Sequence, residues 1–191
     1  MTTTSPDWNA LYATAAAQEG LFTARQAVEA GYSAPLLIHH QRAGRFERVA
    51  RGIYRLVHFP MGEHEDLVAA WLWSEQQGVV SDVTALALHQ LSDVLPSRVH
   101  LTVPSAWAHR RLKAPVGVVL HHADVAPRER AWFGSVPVTT VARTLNDCAR
   151  SHLSPEFLGT AARQAIARGL ATSAELPDVA AVLEPYGGLA A

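Results

Sequence analysis

The apolar positions of the first sixty residues mark out three helices and a hairpin. Trp8, Leu11, Tyr12, Ala15 and Ala16 recur at helical spacing between Asp7, a suitable N-cap, and Gly20, a suitable terminator, which predicts a helix from Asp7 to Gln18. Leu21 and Phe22 lead into Thr23, the expected cap of a short helix from Ala24 to Ala30 closed by Gly31. Ser33 caps a third helix from Ala34 to Ala43, and Gly44 stops it. Pro35 is tolerated there because amides of the first turn have no helical acceptor. Arg45 to Val49 and Ile53 to Val57 then alternate as two short strands around Ala50-Arg51-Gly52. Two helices joined by Gly31-Tyr32-Ser33 and followed by a hairpin have the turn chemistry of a winged helix-turn-helix. On the third helix, Leu37 and Gln41 are expected to face inward with Tyr32 behind them. Pro35, Ile38, His39 and Arg42 are expected to face outward.

Pro60 and Gly62 punctuate the chain, and the expected domains are residues 1–60 and 61–191. The second begins with an amphipathic helix from Glu63 to Gln77, with Leu67, Val68, Trp71 and Leu72 inward and Gly78 at its end. Val79-Val80 reads as a short buried strand, Val83 to Leu91 as a helix capped by Ser81 or Asp82, and Arg98 to Val103 and Val116 to His121 as strands. After Val136-Pro137-Val138, Thr139 or Thr140 starts a helix to Arg150, followed by helices from Pro155 to Arg168 and Ser173 to Leu183. Helices come in blocks, so the predicted class is α+β: a winged helix-turn-helix domain followed by a mixed α/β domain.

Composition supports a folded chain, since 191 residues at 49% hydrophobic and 17% charged can bury a core. No apolar run approaches the roughly 18 residues of a spanning helix, and MTTTSPDW has neither a basic nor an apolar leader region, so a soluble cytoplasmic protein is expected. Cys148 is the sole cysteine, which excludes an internal disulfide framework and a thiolate zinc cage. The net charge of −1 gives no sign of a nucleic-acid binder until it is resolved along the chain. Residues 1–60 set Arg25, Arg42, Arg45, Arg48, Arg51 and Arg55 against Asp7, Glu19, Glu29 and Glu47, a balance of +2, and residues 61–191 carry −3. Five of those arginines and a single glutamate fall between Arg42 and Arg55, a local +4. Arginine suits planar contacts to phosphate or guanine. Arg42 and His39 are the candidates for base edges, Ile38 for a thymine methyl, and Arg45, Arg48, Arg51 and Arg55 for phosphates or the minor groove. Because strand residues alternate faces, Arg48 and Arg55 need not both face DNA. Arg25, Ser33 and Pro35 complete the candidate contact set.

Catalytic chemistry finds little support. The doublets His39-His40 and His121-His122 point in divergent directions on a helix or a strand, and HExxH, CxxC and glycine-rich phosphate loops are absent, so no metal or cofactor is expected. Lys113 is the sole lysine, and no acidic residue stands two before it, which argues against a nuclease. Arg143 and Asp147 are spaced i, i+4, giving either a structural ion pair or, with His89, candidates for a partner-directed role. His89 and Ser81 are candidates to line a polar cleft, against a packing role for the histidine. Arg110, Arg111 and Lys113, with Trp107 and His109, form either a contact to nucleic-acid phosphates with Trp107 stacking or a solvated connector.

The runs Gly20-Leu-Phe-Thr-Ala-Arg-Gln-Ala27, Gly31-Tyr-Ser33, Gly44-Arg-Phe-Glu-Arg-Val49 and Arg51-Gly-Ile-Tyr-Arg55 resemble the N-terminal domain of the AbiEi family of type IV antitoxins. Val80-Ser81, Ala85-Leu-Ala-Leu-His-Gln-Leu91, Val99-His-Leu-Thr-Val-Pro104, Val136-Pro-Val-Thr-Thr140 and Arg143-Thr-Leu-Asn-Asp147 resemble its second domain, so the likeness covers most of residues 20–150. It implies a non-enzymatic antitoxin whose winged helix binds the double-stranded DNA of its own promoter, and whose functional partner is a nucleotidyltransferase-like toxin, opposed with or without a direct complex. Related chains carry a restriction-endonuclease-like domain after these segments. The alternatives are therefore a stand-alone regulator with a ligand- or protein-binding second domain, and a degenerate or truncated nuclease-like protein.

Overall fold

The computed structural model describes residues 5–91 and 96–189, and the chain divides into two units, Met1–Gln76 and Gln77–Ala191. In the first, side-chain caps set the helix starts. Helix α1 (Trp8–Ala16) begins where the Asp7 carboxylate accepts the Ala10 N–H at 3.0 Å. The chain leaves it through Gly20 at φ +84°, where a Cβ would lie 2.6 Å from the Phe59 ring, so glycine is required twice over. Strand β1 (Leu21–Thr23) follows. A capping box opens α2 (Ala24–Glu29): Thr23 Oγ1 accepts the Gln26 N–H at 3.1 Å and Gln26 Oε1 accepts the Thr23 N–H at 2.8 Å. Helix α3 (Ala34–Arg42) is capped by the Ser33 hydroxyl and carries Pro35 in its first turn. Strands β2 (Phe46–Ala50) and β3 (Ile53–Leu56) form an antiparallel hairpin, with β1 paired to the free edge of β3.

The three-stranded sheet is covered on both faces. Phe22, Phe46 and Leu56 pack with Leu11, Ala15, Ala27, Tyr32 and Leu37 from the three helices. Phe46 is the hub, its ring centroid 5.1 Å from Phe22, 4.9 Å from His40 and 6.0 Å from Tyr32. Strand alternation turns Leu21 and Ile53 the other way, and both are buried. Helix α4 (Glu65–Trp73) packs against β1 and β3. The sequence reading places that helix in a domain beginning at residue 61. It belongs instead to the first unit, because a strand with apolar side chains on both faces needs cover on both.

The second unit is built on a mixed sheet. Its elements are β4 (Val79–Val80), α5 (Asp82–Leu88), β5 (Val99–Val103), β6 (Val118–His122), β7 (Arg130–Phe133), β8 (Val136–Thr139), α6 (Val141–Arg150), α7 (Pro155–Ala167) and α8 (Pro177–Leu183). The strand order is β6-β5-β4-β8-β7, with β5/β6 and β4/β8 parallel and the other pairs antiparallel. Leu86, Leu145, Leu158, Ala162, Leu176 and Val179 form the core that joins α5 to the three C-terminal helices. Strand β7 has no counterpart in the sequence reading. The helix expected over Ser173 to Leu183 is interrupted: Leu176 sits at φ −116°, ψ 50°, outside the α region that a following proline disfavours, and α8 starts at Pro177. The architecture is thus α+β, a helical N-terminal region with a small sheet followed by a mixed α/β unit. Among the described residues no helix is long and apolar enough to cross a membrane.

Candidate nucleic-acid interface and a polar cleft

Helix α3 buries one side and exposes the other. Leu37 is buried, while Pro35, Ile38, His39 and Arg42 are exposed. Gln41, expected inward, is exposed, and His40 takes the inner position against Phe46 and Tyr32. Positions three and four residues beyond Leu37 both lie near its face, and the aromatic hub selects the ring. Burial holds the His40 pKa below the ordinary histidine value, with the Arg45 and His39 charges adding to the effect. Ser33 serves the helix as its cap.

Beyond α3, Arg45, Arg48 and Arg51 are exposed. Arg48 Nε donates to the Ala50 carbonyl at 3.3 Å, holding that side chain along the hairpin tip. Among the described residues neither these three nor Arg42 has a carboxylate within 4.0 Å. Arg55 differs. Its guanidinium is largely buried and meets Glu47 Oε2 at 2.8 Å and Glu65 Oε1 at 3.5 Å, tying the hairpin to the first residue of α4. Arg25 lies on α2 in a loose 3.8 Å pair with Glu29. Of the six arginines, four therefore present uncompensated charge around α3 and the hairpin.

In the second unit a cleft of about 400 Å³ is lined by Ser81, Asp82, Thr102, His121, Arg143, Asp147 and Arg150, among others. Arg143 Nε donates to both Asp147 oxygens at 2.9 and 3.0 Å, and its Nη1 to Glu129 at 3.0 Å. Arg150 joins Asp147 to Asp178. His89 lies apart from this network. It caps the end of α5 and its Nε2 donates to the Thr139 carbonyl at 2.8 Å, with burial holding its pKa down.

A second group at this cleft, which Asp82 and His121 line, was missed by the sequence reading. The parallel register of β5 and β6 sets His100 against Val119 and Thr102 against His121, so the two histidines are diagonal neighbours on one face. His100 Nδ1 and His121 Nε2 are 3.0 Å apart. Asp82, buried and at φ +53° as the first residue of α5, places its carboxylate oxygens 3.7 Å from the former and 4.0 Å from the latter. Burial lowers the His100 pKa, against the Asp82 charge, which raises it. A polar residue on an otherwise apolar strand, as in Val99-His100-Leu101, was the available signal, but the pairing of strands was not.

Trp107 in the second basic stretch is buried and covered by Arg110, whose guanidinium carbon sits 4.4 Å from the ring centroid. The indole is therefore occupied by the chain's own cation and does not offer a free stacking face.

Comparison with known proteins bears on the first unit. The crystal structure of the RV2827C protein from Mycobacterium tuberculosis is similar to this chain with a TM-score of 0.46 and 16% identity, covering 91% of this chain and 79% of that one. No curated protein matches significantly. Residues 9–57, from α1 through the hairpin, match the family described as transcriptional regulator, AbiEi antitoxin.

Proposed function

We propose that this chain is a DNA-binding transcriptional regulator of the AbiEi antitoxin type. In this reading the first unit is a winged helix that lays α3 in the major groove and the β2–β3 hairpin along the flanking backbone. The observation that carries it is the set of exposed arginines Arg42, Arg45, Arg48 and Arg51 around the outward face of α3, none with a carboxylate within 4.0 Å among the described residues, on the segment that matches the family. Arg42 and His39 read base edges, Ile38 meets a thymine methyl, and Arg45, Arg48 and Arg51 hold phosphates. Pro35 and Ser33 bring the start of α3 close to the duplex, and Arg25 stands at its margin.

The promoter bound is the chain's own, and its operon partner is a nucleotidyltransferase-like toxin that the second unit counteracts, through Arg143 and Asp147 at the cleft and His89 behind it. A gel shift with the fragment upstream of the gene tests the first half: retardation at concentrations that leave random DNA free supports it, and equal retardation rejects it. Co-expression with the neighbouring gene product tests the second. Rescue of growth by residues 77–191 supports the antitoxin role, and a neighbour without toxicity rejects it. The 400 Å³ polar cleft favours a second reading, a stand-alone regulator whose second unit binds a ligand.

A further inference from the structure

We propose that Asp82, His100 and His121 form a binding site for a divalent transition-metal ion of the Zn²⁺ class, with open coordination positions facing the cleft. The inference is independent of the DNA-binding reading. Three elements deliver the donors: the start of α5, β5 and β6. One ligand atom from each lies within 4.8 Å of the other two. Two metal–nitrogen bonds of about 2.1 Å set their nitrogens roughly 3.0 to 3.4 Å apart for angles between 90° and tetrahedral, and His100 Nδ1 and His121 Nε2 are separated by 3.0 Å. The carboxylate is a few tenths of an ångström further out, within reach of a side-chain rotation.

Neighbouring donors fix the Asp82 carboxylate. Its Oδ1 accepts the Val83 N–H at 2.7 Å and the Cys148 S–H at 3.9 Å, which orients the group in the way outer-shell partners orient metal ligands. Both histidine contacts are too long for hydrogen bonds, and among the described residues no donor lies within hydrogen-bond distance of Oδ2. The cations lining the cleft are matched by carboxylates, Arg143 by Asp147 and Glu129, and Arg150 by Asp147 and Asp178, while Arg98 near His100 donates to the Val118 carbonyl. Two imidazoles and one carboxylate with vacant positions are the donor set of open zinc and non-haem iron sites, whereas Mg²⁺ and Ca²⁺ prefer all-oxygen cages. His121 is about a third exposed, which leaves an entry path. His122, exposed at the end of β6, is not among the three residues whose ligand atoms lie within 4.8 Å of one another.

The full chain, stripped with chelator, is titrated with Zn²⁺ by calorimetry and, in parallel, with Co²⁺ by visible absorption. One equivalent is expected to bind, with Mg²⁺ failing to compete. His121→Ala and Asp82→Asn should weaken binding by more than about 100-fold, while His122→Ala should leave it unchanged. Histidine ring resonances of the unaltered chain give a second measurement that needs no variant, and two rings should shift on Zn²⁺ addition. No stoichiometric binding, binding that survives His121→Ala, or loss with His122→Ala overturns the proposal.

Discussion

Replacing Arg51 and Arg55 in turn by alanine separates arginines proposed to meet DNA from one that holds the fold. Arg45, Arg48 and Arg51 are exposed and, among the described residues, have no carboxylate within 4.0 Å, so each is free to displace a counterion from the duplex. Three phosphate contacts correspond to a log–log salt slope of about −2.7, so raising salt from roughly 50 to 200 mM weakens binding by about 40-fold. Arg51→Ala removes about 0.9 from that slope and reduces the loss to about 12-fold. Arg55 is already neutralised by Glu47 and Glu65 at 2.8 and 3.5 Å. Its replacement should leave the slope unchanged and lower stability by about 1 to 3 kcal/mol, since two carboxylates lose a charged donor. Fluorescence anisotropy of a labelled promoter duplex across a salt series measures the slope, and thermal melting measures the stability. An unchanged slope in Arg51→Ala together with a shallower one in Arg55→Ala would refute the assignment of the two roles.

Arg42→Ala should cost about 1 to 3 kcal/mol of discrimination between promoter and scrambled duplex if it reads a base, measured by competition titration; equal loss on both sequences would make it a phosphate contact instead. Phe46→Ala should destabilise the first unit by about 3 to 5 kcal/mol, because the ring is 1% exposed and meets Phe22, Tyr32 and His40; a denaturant midpoint within error of the parent would contradict the packing. Burial lowers the pKa values of His40, His89 and His100, so below the ordinary histidine value near 6.5 the unfolded chain binds more protons than the folded one. Stability should therefore be full above pH 6.5 and fall as pH drops through the folded-state values. Denaturant midpoints at pH 7.5 and 5.5 check this, and an unchanged or higher midpoint at pH 5.5 contradicts it.

Local chemistry made the first unit legible in advance. Asp7, Thr23 and Ser33 each cap a helix where the residue pattern places them, and Gly20 and Gly31 take left-handed φ. What escaped was set by tertiary pairing. Three residues are too few for β1 to show a period, and the attachment of α4 depends on a sheet face that only exists once β1 and β3 pair. Helical periodicity also leaves i+3 and i+4 nearly equivalent, so only the position of Phe46 decides that His40, and not Gln41, turns inward. The Asp82, His100 and His121 cluster shows the same limit. The divergence of adjacent histidines is sound reasoning for His121 and His122, yet strand register supplies His121 with a different partner.

Hydrogen exchange of the full chain with and without a duplex carrying its own promoter tests the central claim most directly. Slower exchange concentrated in α3 and the β2–β3 hairpin, with residues 96–189 unaffected, is the expected result. Absence of protection in α3, or protection confined to residues 77–189, would contradict the DNA-binding account.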